Sequence, residues 1–105
     1  MKASHPKNLR FAILATDIAL FTLRDGELLV RFVKVDRPPF FNNLPGLPGG
    51  LIHKDETADD AVLRLIRGKA TITRSDVHIE QLYTFSTINR DPRGRVVAVA
   101  YSGYI

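Results

Sequence analysis

The 105-residue chain is 45% hydrophobic and 25% charged, a composition typical of a globular domain with a single hydrophobic core. Its 15 Lys and Arg residues against 11 Asp and Glu residues give a formal charge of +4, which favours anionic partners without distinguishing a phosphate-bearing small molecule from a polynucleotide. The absence of cysteine excludes disulfides and cysteine zinc sites, and no apolar run is long enough for a membrane helix or a signal peptide.

We therefore expect one cytoplasmic domain over residues 1–105, with a flexible N-terminal segment at residues 1–9 and no membrane partner.

The first predicted element is an antiparallel hairpin within residues 11–35. Two apolar runs meet there at Asp25-Gly26, a pair favoured in type I′ turns. Apolar residues alternate imperfectly from Leu28 to Val35, which predicts a second strand that is buried on much of both faces or carries a bulge.

Residues 36–50 hold four of the six prolines and three of the seven glycines, and this density predicts a loop. Two aromatic residues, Phe40 and Phe41, lie inside this segment. They can stack on nucleobases or plug the edge of the core, and packing is the commoner role for loop aromatics.

A helix is predicted from Thr57 onward. Thr57 and Asp60 form a capping-box pattern, and Gly68 weakens the other end, so we expect the helix to end between Gly68 and Thr71. Apolar residues at steps of three and four form one face of this helix, namely Ala58, Ala61, Val62, Leu65, Ile66 and Ala70.

Two more strands are predicted after a polar connection. The stretches EQLYTFST and RVVAVAYSGYI are strand-like, and INRDPRG between them is typical of a turn. One clear helix and a strand-rich core indicate a mixed α/β domain of the α+β type.

The Gly49-Gly50 pair precedes the helix, an arrangement that lets backbone approach a phosphate closely. The surrounding residues resemble the signature of the Nudix family at Gly50, Glu56, Arg64, Ile66 and Ile72, after the lead-in Leu47-Pro48-Gly49. The resemblance implies a Nudix-like α/β/α sandwich with a mixed sheet. It also implies hydrolysis of a nucleoside diphosphate-linked substrate with Mg²⁺.

The mismatches fall on the residues that the resemblance makes catalytic. In the family, helix glutamates hold Mg²⁺ or Mn²⁺, which need oxygen ligands. This chain has Leu65, Gly68 and Lys69 at those positions, and Thr71 where the family has a late glycine. We therefore expect catalytic impairment, no metal site and no cofactor, with Mg²⁺ required only if the chain is active.

The stretches FTLRDGELLV, LPGGLIHKDE, EQLYTF and RDPRGRVVAVAY are similar to Nudix-like domains of the NrtR type, bacterial regulators that sense ADP-ribose-like products of NAD metabolism. In that subgroup a DNA-binding winged helix usually follows the Nudix-like domain. The resemblance implies that this chain is truncated or minimal. It also implies that DNA is a partner only through a domain absent from the chain.

The candidate ligand-binding residues combine the glycine pair with basic residues of the helix and of the last turn, and weaker catalytic candidates lie in the loop before the helix. Glu56 and Arg64 also suit a structural ion pair, and acidic residues at a helix start are mostly caps. Arg90 accompanies the basic residues of the turn, which equally suit an ordinary hairpin tip. The ligand-binding candidates are Gly49, Gly50, Arg64, Lys69, Arg93 and Arg95, and the catalytic candidates are Glu56 and His53.

Three hypotheses follow. The first is a module that senses a nucleotide-type small molecule resembling ADP-ribose, and the second is an active Nudix pyrophosphohydrolase with displaced metal ligands. The third is a dimerisation or interaction remnant, since an incomplete sheet leaves an open edge that a second copy can pair with in a homodimer.

Overall fold

The computed structural model describes residues 11–73 and 77–105, so the predicted flexible segment at residues 1–9 lies outside the described residues. The described chain folds into seven strands and one helix. In chain order these are β1 (Ile13–Arg24), β2 (Glu27–Val30), β3 (Val33–Arg37), β4 (Phe41–Gly46), β5 (Gly49–Leu51), α1 (Ala58–Gly68), β6 (His78–Phe85) and β7 (Val96–Tyr104).

The long strand β1 organises a five-stranded mixed sheet. Along one edge it pairs antiparallel with β5 in its first half and with β2 in its second half. Along the other edge it pairs in parallel with β7, which in turn pairs antiparallel with β6. Strands β3 and β4 form a separate two-stranded sheet. The predicted α+β class with a mixed sheet is confirmed.

The predicted hairpin turn is confirmed, whereas the strand that follows it differs from the prediction. Asp25 and Gly26 have φ angles of 52° and 79°, as a type I′ turn requires. The expected single strand instead divides between β2 and β3, which enter different sheets. All four residues of β2 are exposed, so the predicted burial on both faces is wrong, whereas the alternative of a bulge agrees with the register shift between Val35 and Arg37 in β3. Strand β2 lies at the sheet edge and pairs only with β1.

The proline-rich segment contains the end of β3, the whole of β4 and most of β5, so the prediction of a loop is wrong for residues 36–37, 41–46 and 49–50. Pro45 is accommodated within β4 because this strand pairs only with β3, where an edge position does not need every backbone N–H. The prediction from composition failed because strand pairing overrides local preference: β4 pairs with the neighbouring β3, and β5 pairs with the distant β1.

The helix begins as predicted. The Thr57 side chain accepts a hydrogen bond from the Asp60 N–H at 3.1 Å, and the Asp60 carboxylate accepts one from the Thr57 N–H at 3.0 Å. This capping box satisfies two donors that a helix start leaves unpaired. Helix α1 ends at Gly68, inside the predicted interval.

The core lies between α1 and one face of the sheet. Alternate residues of β1 point toward the helix, and the cluster consists of Ile18, Leu20, Val62, Leu65, Ile66, Ala70 and Tyr101. Each of these side chains is at most 3% exposed, so the predicted apolar helix face is the buried one. Such burial is the main source of stability in a domain of this size.

Within the described residues, α1 covers one face of the main sheet, and the second helical layer of the predicted α/β/α sandwich is not among them. The opposite sheet face carries aromatic pairs, with the Phe21 and Tyr104 ring centroids 5.9 Å apart and those of Tyr83 and Phe85 4.9 Å apart. No helix in the described part of the chain is long and apolar enough to cross a membrane.

Thr71 follows the helix with φ 57°, in the left-handed region. A β-branched side chain is disfavoured there, and glycine is the usual residue at such helix ends. We expect Thr71→Gly to stabilise the fold by about 1 kcal/mol in urea unfolding, because removing the Cβ contact outweighs the added freedom of the unfolded chain. Thr73→Gly, without a positive φ, should instead destabilise by about 0.5–1 kcal/mol. Equal destabilisation by both variants would contradict the strain at Thr71.

Candidate functional site

A cleft of about 830 Å³ lies between the β3–β4 sheet, the first half of β1, strand β5 and the segment before β7. Ala15, Asp17, Val96 and Ala98 line it from the face of the main sheet that points away from the core. The β3–β4 sheet forms the opposite wall. A volume of this size is typical of a small-molecule site.

The glycine pair lies in β5, where Gly49 pairs with Asp17 and Gly50 pairs with Thr16. A Cβ on Gly50 would lie 2.9 Å from Leu65 Cδ2, and one on Gly49 would lie 2.8 Å from the Thr16 carbonyl oxygen. Both distances are too short for ordinary contacts, so glycine lets β5 pack closely against its neighbours. Both residues also line the cleft.

Glu56 and Arg64 form a bidentate ion pair. Arg64 Nη2 donates to Glu56 Oε1 at 2.7 Å and Arg64 Nε donates to Glu56 Oε2 at 3.2 Å. Glu56 also accepts the His53 N–H at 2.8 Å, and Arg64 donates to the Leu51 carbonyl at 2.8 Å. The hydrogen bonds from Arg64 and from the His53 backbone lower the pKa of Glu56 to about 2. The pair ties the loop after β5 to the helix, and Arg64 does not line the cleft.

Other acidic side chains near the helix start have structural partners. Asp60 caps the helix, while Asp59 accepts a hydrogen bond from the hydroxyl of Tyr101. Burial, together with this hydrogen bond, raises the pKa of Tyr101. The exposed His53 places Nδ1 3.7 Å from Glu56 Oε1.

The residues at the metal-binding positions of the family do not suit a hard cation. Leu65 is buried and apolar, Gly68 has no side chain, and Lys69 is itself a cation. In the two described ranges, no group of three or more His, Cys, Asp or Glu side chains is arranged to hold a metal ion. Mg²⁺ requires several oxygen ligands, and none of these three residues supplies a side-chain oxygen.

Lys69 lies directly after α1, and its backbone N–H donates to the Leu65 carbonyl at 2.8 Å. The side chain extends back to β5, where Nζ donates to the Gly49 carbonyl at 2.5 Å. Nζ would also lie 3.6 Å from a Cβ on Gly50. A positive charge is therefore held beside the glycine pair, at the edge of the cleft.

The predicted arginines of the last turn have different positions. Arg93 lines the cleft and donates to Asp91 through Nε at 3.0 Å and through Nη2 at 2.7 Å, which lowers the pKa of Asp91 to about 2. Arg95 lies outside this cleft and donates to the carbonyls of Ser86 at 2.9 Å and Thr87 at 3.3 Å. Arg90 also lines the cleft.

Sequence reasoning missed Asp17, Lys34 and Asp36, which also line the cleft. Asp17 had a usable signal, since it is a carboxylate inside an otherwise apolar strand and such a group needs a reason to be there. Lys34 and Asp36 of β3 had no such signal in the sequence. Their position depends on how the β3–β4 sheet folds over the main sheet.

No protein-family model matches the chain, and no curated protein sequence matches it significantly. Solved structures do. The NUDIX domain of Shewanella oneidensis NrtR complexed with ADP ribose is 36% identical, with a TM-score of 0.83, over 97% of this chain and 66% of that one. A MutT/nudix family protein from Enterococcus faecalis is 31% identical, with a TM-score of 0.83, over 97% of this chain and 40% of that one.

A third similar structure is Shewanella oneidensis NrtR complexed with a 27mer DNA. It is 39% identical, with a TM-score of 0.72, over 86% of this chain and 41% of that one. The chain thus spans between two fifths and two thirds of the length of these relatives.

The Glu56–Arg64 pair can be tested by titration. We expect the Glu56 carboxyl to titrate at about 2 by NMR, and its pKa to rise toward the ordinary 4.5 in Arg64→Met. Because the folded pKa lies below the unfolded one, the stability from this pair is complete above pH 4.5 and is lost as the pH falls toward 2. Arg67→Met, on the exposed part of the last helical turn, is the control. An unchanged Glu56 pKa in Arg64→Met would contradict the assignment.

Proposed function

This chain belongs to the Nudix superfamily, with NrtR-type domains among its relatives, and we propose that its cleft binds a nucleoside diphosphate derivative of the ADP-ribose type without hydrolysing it efficiently. The observation that carries this proposal is the position of Lys69. Its ammonium lies beside the glycine pair and lines the cleft, at a helix position where active relatives are expected to carry a metal-binding glutamate.

The charge of the cleft suits an anionic ligand. Its lining includes four cationic side chains, Lys34, Lys69, Arg90 and Arg93, and three acidic ones, Asp17, Asp36 and Asp91. A diphosphate placed beside Gly49 and Gly50 would contact the ammonium group of Lys69. It could also approach the backbone of the two glycines closely, because glycine has no Cβ. An ammonium or guanidinium forms strong charge-assisted hydrogen bonds with phosphate oxygens.

Weak hydrolysis follows from the same residues. A Nudix reaction requires a metal-held water and a metal-neutralised diphosphate, which depend on carboxylates along the helix. The nearby carboxylates of Glu56, Asp59 and Asp60 are already paired with Arg64, Tyr101 and the helix start. We therefore propose binding without a required cofactor.

The regulatory part of the proposal rests on the relatives. A Shewanella oneidensis NrtR domain was solved with ADP ribose, and the longer NrtR protein with DNA. We propose that this chain is the sensing module of a cytoplasmic regulator of the NrtR type.

The binding proposal predicts a specific calorimetric result. ADP-ribose should bind the wild-type protein with the same affinity, within about twofold, in EDTA and in Mg²⁺, because Lys69 supplies the positive charge. Lys69→Met should weaken binding about 10- to 100-fold, the expected loss for one charge-assisted hydrogen bond to phosphate. Arg67→Met, two residues earlier and exposed, should bind as the wild type does.

Product analysis of the same mixtures separates this function from that of an active hydrolase. An enzyme would release AMP and ribose 5-phosphate only with Mg²⁺ and would lose that activity in Glu56→Gln, whereas the sensing module should leave ADP-ribose intact. Metal-dependent turnover at an ordinary enzymatic rate of about 1 s⁻¹ or faster would overturn the proposal.

A further inference from the structure

Two adjacent phenylalanines have different surroundings in the structure. Phe41 begins β4, is half-buried and lines the cleft, whereas the neighbouring Phe40 is 48% exposed and does not line it. Strand β4 belongs to the two-stranded β3–β4 sheet, on the opposite side of the cleft from the glycine pair. The ring of Phe41 is therefore part of the cleft wall rather than of the core.

The Phe41 ring is held from one side by Arg93. The guanidinium carbon of Arg93 lies 5.7 Å from the ring centroid, within the range of a cation–π contact. Arg93 is itself fixed by its bidentate pair with Asp91 and by the hydrogen bond that the Arg93 N–H donates to Asp91 Oδ1 at 2.9 Å. Arg93 donates through Nε and Nη2 to Asp91, so this edge of the guanidinium is not available to a phosphate. The flat face of the guanidinium therefore serves better as a support for the Phe41 ring than as a phosphate ligand.

Resting on the proposed function, we propose that Phe41, supported by Arg93, is the platform on which the nucleobase of the bound nucleotide stacks. A planar base can lie against the ring face opposite the guanidinium, giving a stack of guanidinium, phenyl ring and base. The base then lies at the β3–β4 wall, and the diphosphate extends toward Lys69 and the glycine pair. Phe41 selects for an aromatic base, while Lys69 selects for the anion.

The absence of tryptophan from the chain makes this proposal directly measurable. Phe41→Trp introduces a single fluorescent reporter at the proposed contact, and Phe40→Trp is the matched control one residue away. Titration with ADP-ribose should quench the emission of Phe41→Trp, because a stacked base quenches indole fluorescence. The emission of Phe40→Trp should not change. ADP-ribose should still bind both variants by calorimetry.

Affinity measurements add an independent readout. Phe41→Leu should weaken ADP-ribose binding about tenfold, the typical loss for one stacked base, and Phe40→Leu should change it less than twofold. Inorganic pyrophosphate, which has no base, should compete for the cleft equally well in the wild type and in Phe41→Leu. Should Phe41→Leu not fold, the fluorescence of Phe41→Trp decides the question.

The outcomes separate the two proposals. If ADP-ribose binds and the emission of Phe41→Trp stays constant, the stacking platform is overturned while nucleotide binding stands. An equal loss of pyrophosphate and ADP-ribose affinity in Phe41→Leu would also overturn it, because the defect would then concern the shape of the cleft. If ADP-ribose does not bind the wild-type protein, the proposed function itself fails, and the platform fails with it.

Discussion

The close packing of β5 between β1 and α1 is the constraint on which the site depends. Strand β5 is only three residues long and fits there because Gly49 and Gly50 carry no side chain against Thr16 and Leu65. A Cβ on Gly49 would overlap the Thr16 carbonyl and push the strand away from the sheet, whereas one on Gly50 would force the Leu65 side chain to shift. The same close approach brings the Gly49 carbonyl within reach of Lys69 Nζ, so the packing constraint also positions the charge of the cleft.

A second consequence concerns the acidic residues before and within the first turn of α1. Each of three carboxylates holds a part of the fold in place: Glu56 fixes the loop through Arg64, Asp60 caps the helix and Asp59 anchors it to Tyr101 of β7. Removing any of these carboxylates to serve a metal would release a structural contact. The carboxylates at the helix start thus stabilise the fold, and the ligand contacts that we propose lie instead at the helix end and on the opposite wall of the cleft.

Local signals predicted part of this structure from sequence. The Asp25-Gly26 turn and the Thr57–Asp60 cap were predictable because each is determined by residues at most three positions apart. The strands in the proline-rich segment were not, since their pairing depends on residues distant in sequence or on a separate sheet. The structure brings the glycine pair, Lys69 and Arg93 together at the cleft, whereas Arg64 and Arg95 hydrogen-bond elsewhere. A sequence pattern shows where a lysine or arginine occurs, but it does not show which carboxylate or carbonyl oxygen will accept its hydrogen bonds.

Replacing a metal by a lysine changes what such a cleft is suited to do. A tethered ammonium is always present, so its attraction for a diphosphate does not depend on the supply of divalent ions. It carries one positive charge and no exchangeable water, and therefore neither activates a nucleophile nor neutralises a leaving group as a divalent ion does. A sensor must release its ligand unchanged when the concentration of that ligand falls. Under the proposed function, Lys69 takes the place of a metal-binding carboxylate and supplies a fixed positive charge, so one residue would explain both weak hydrolysis and metal-independent recognition.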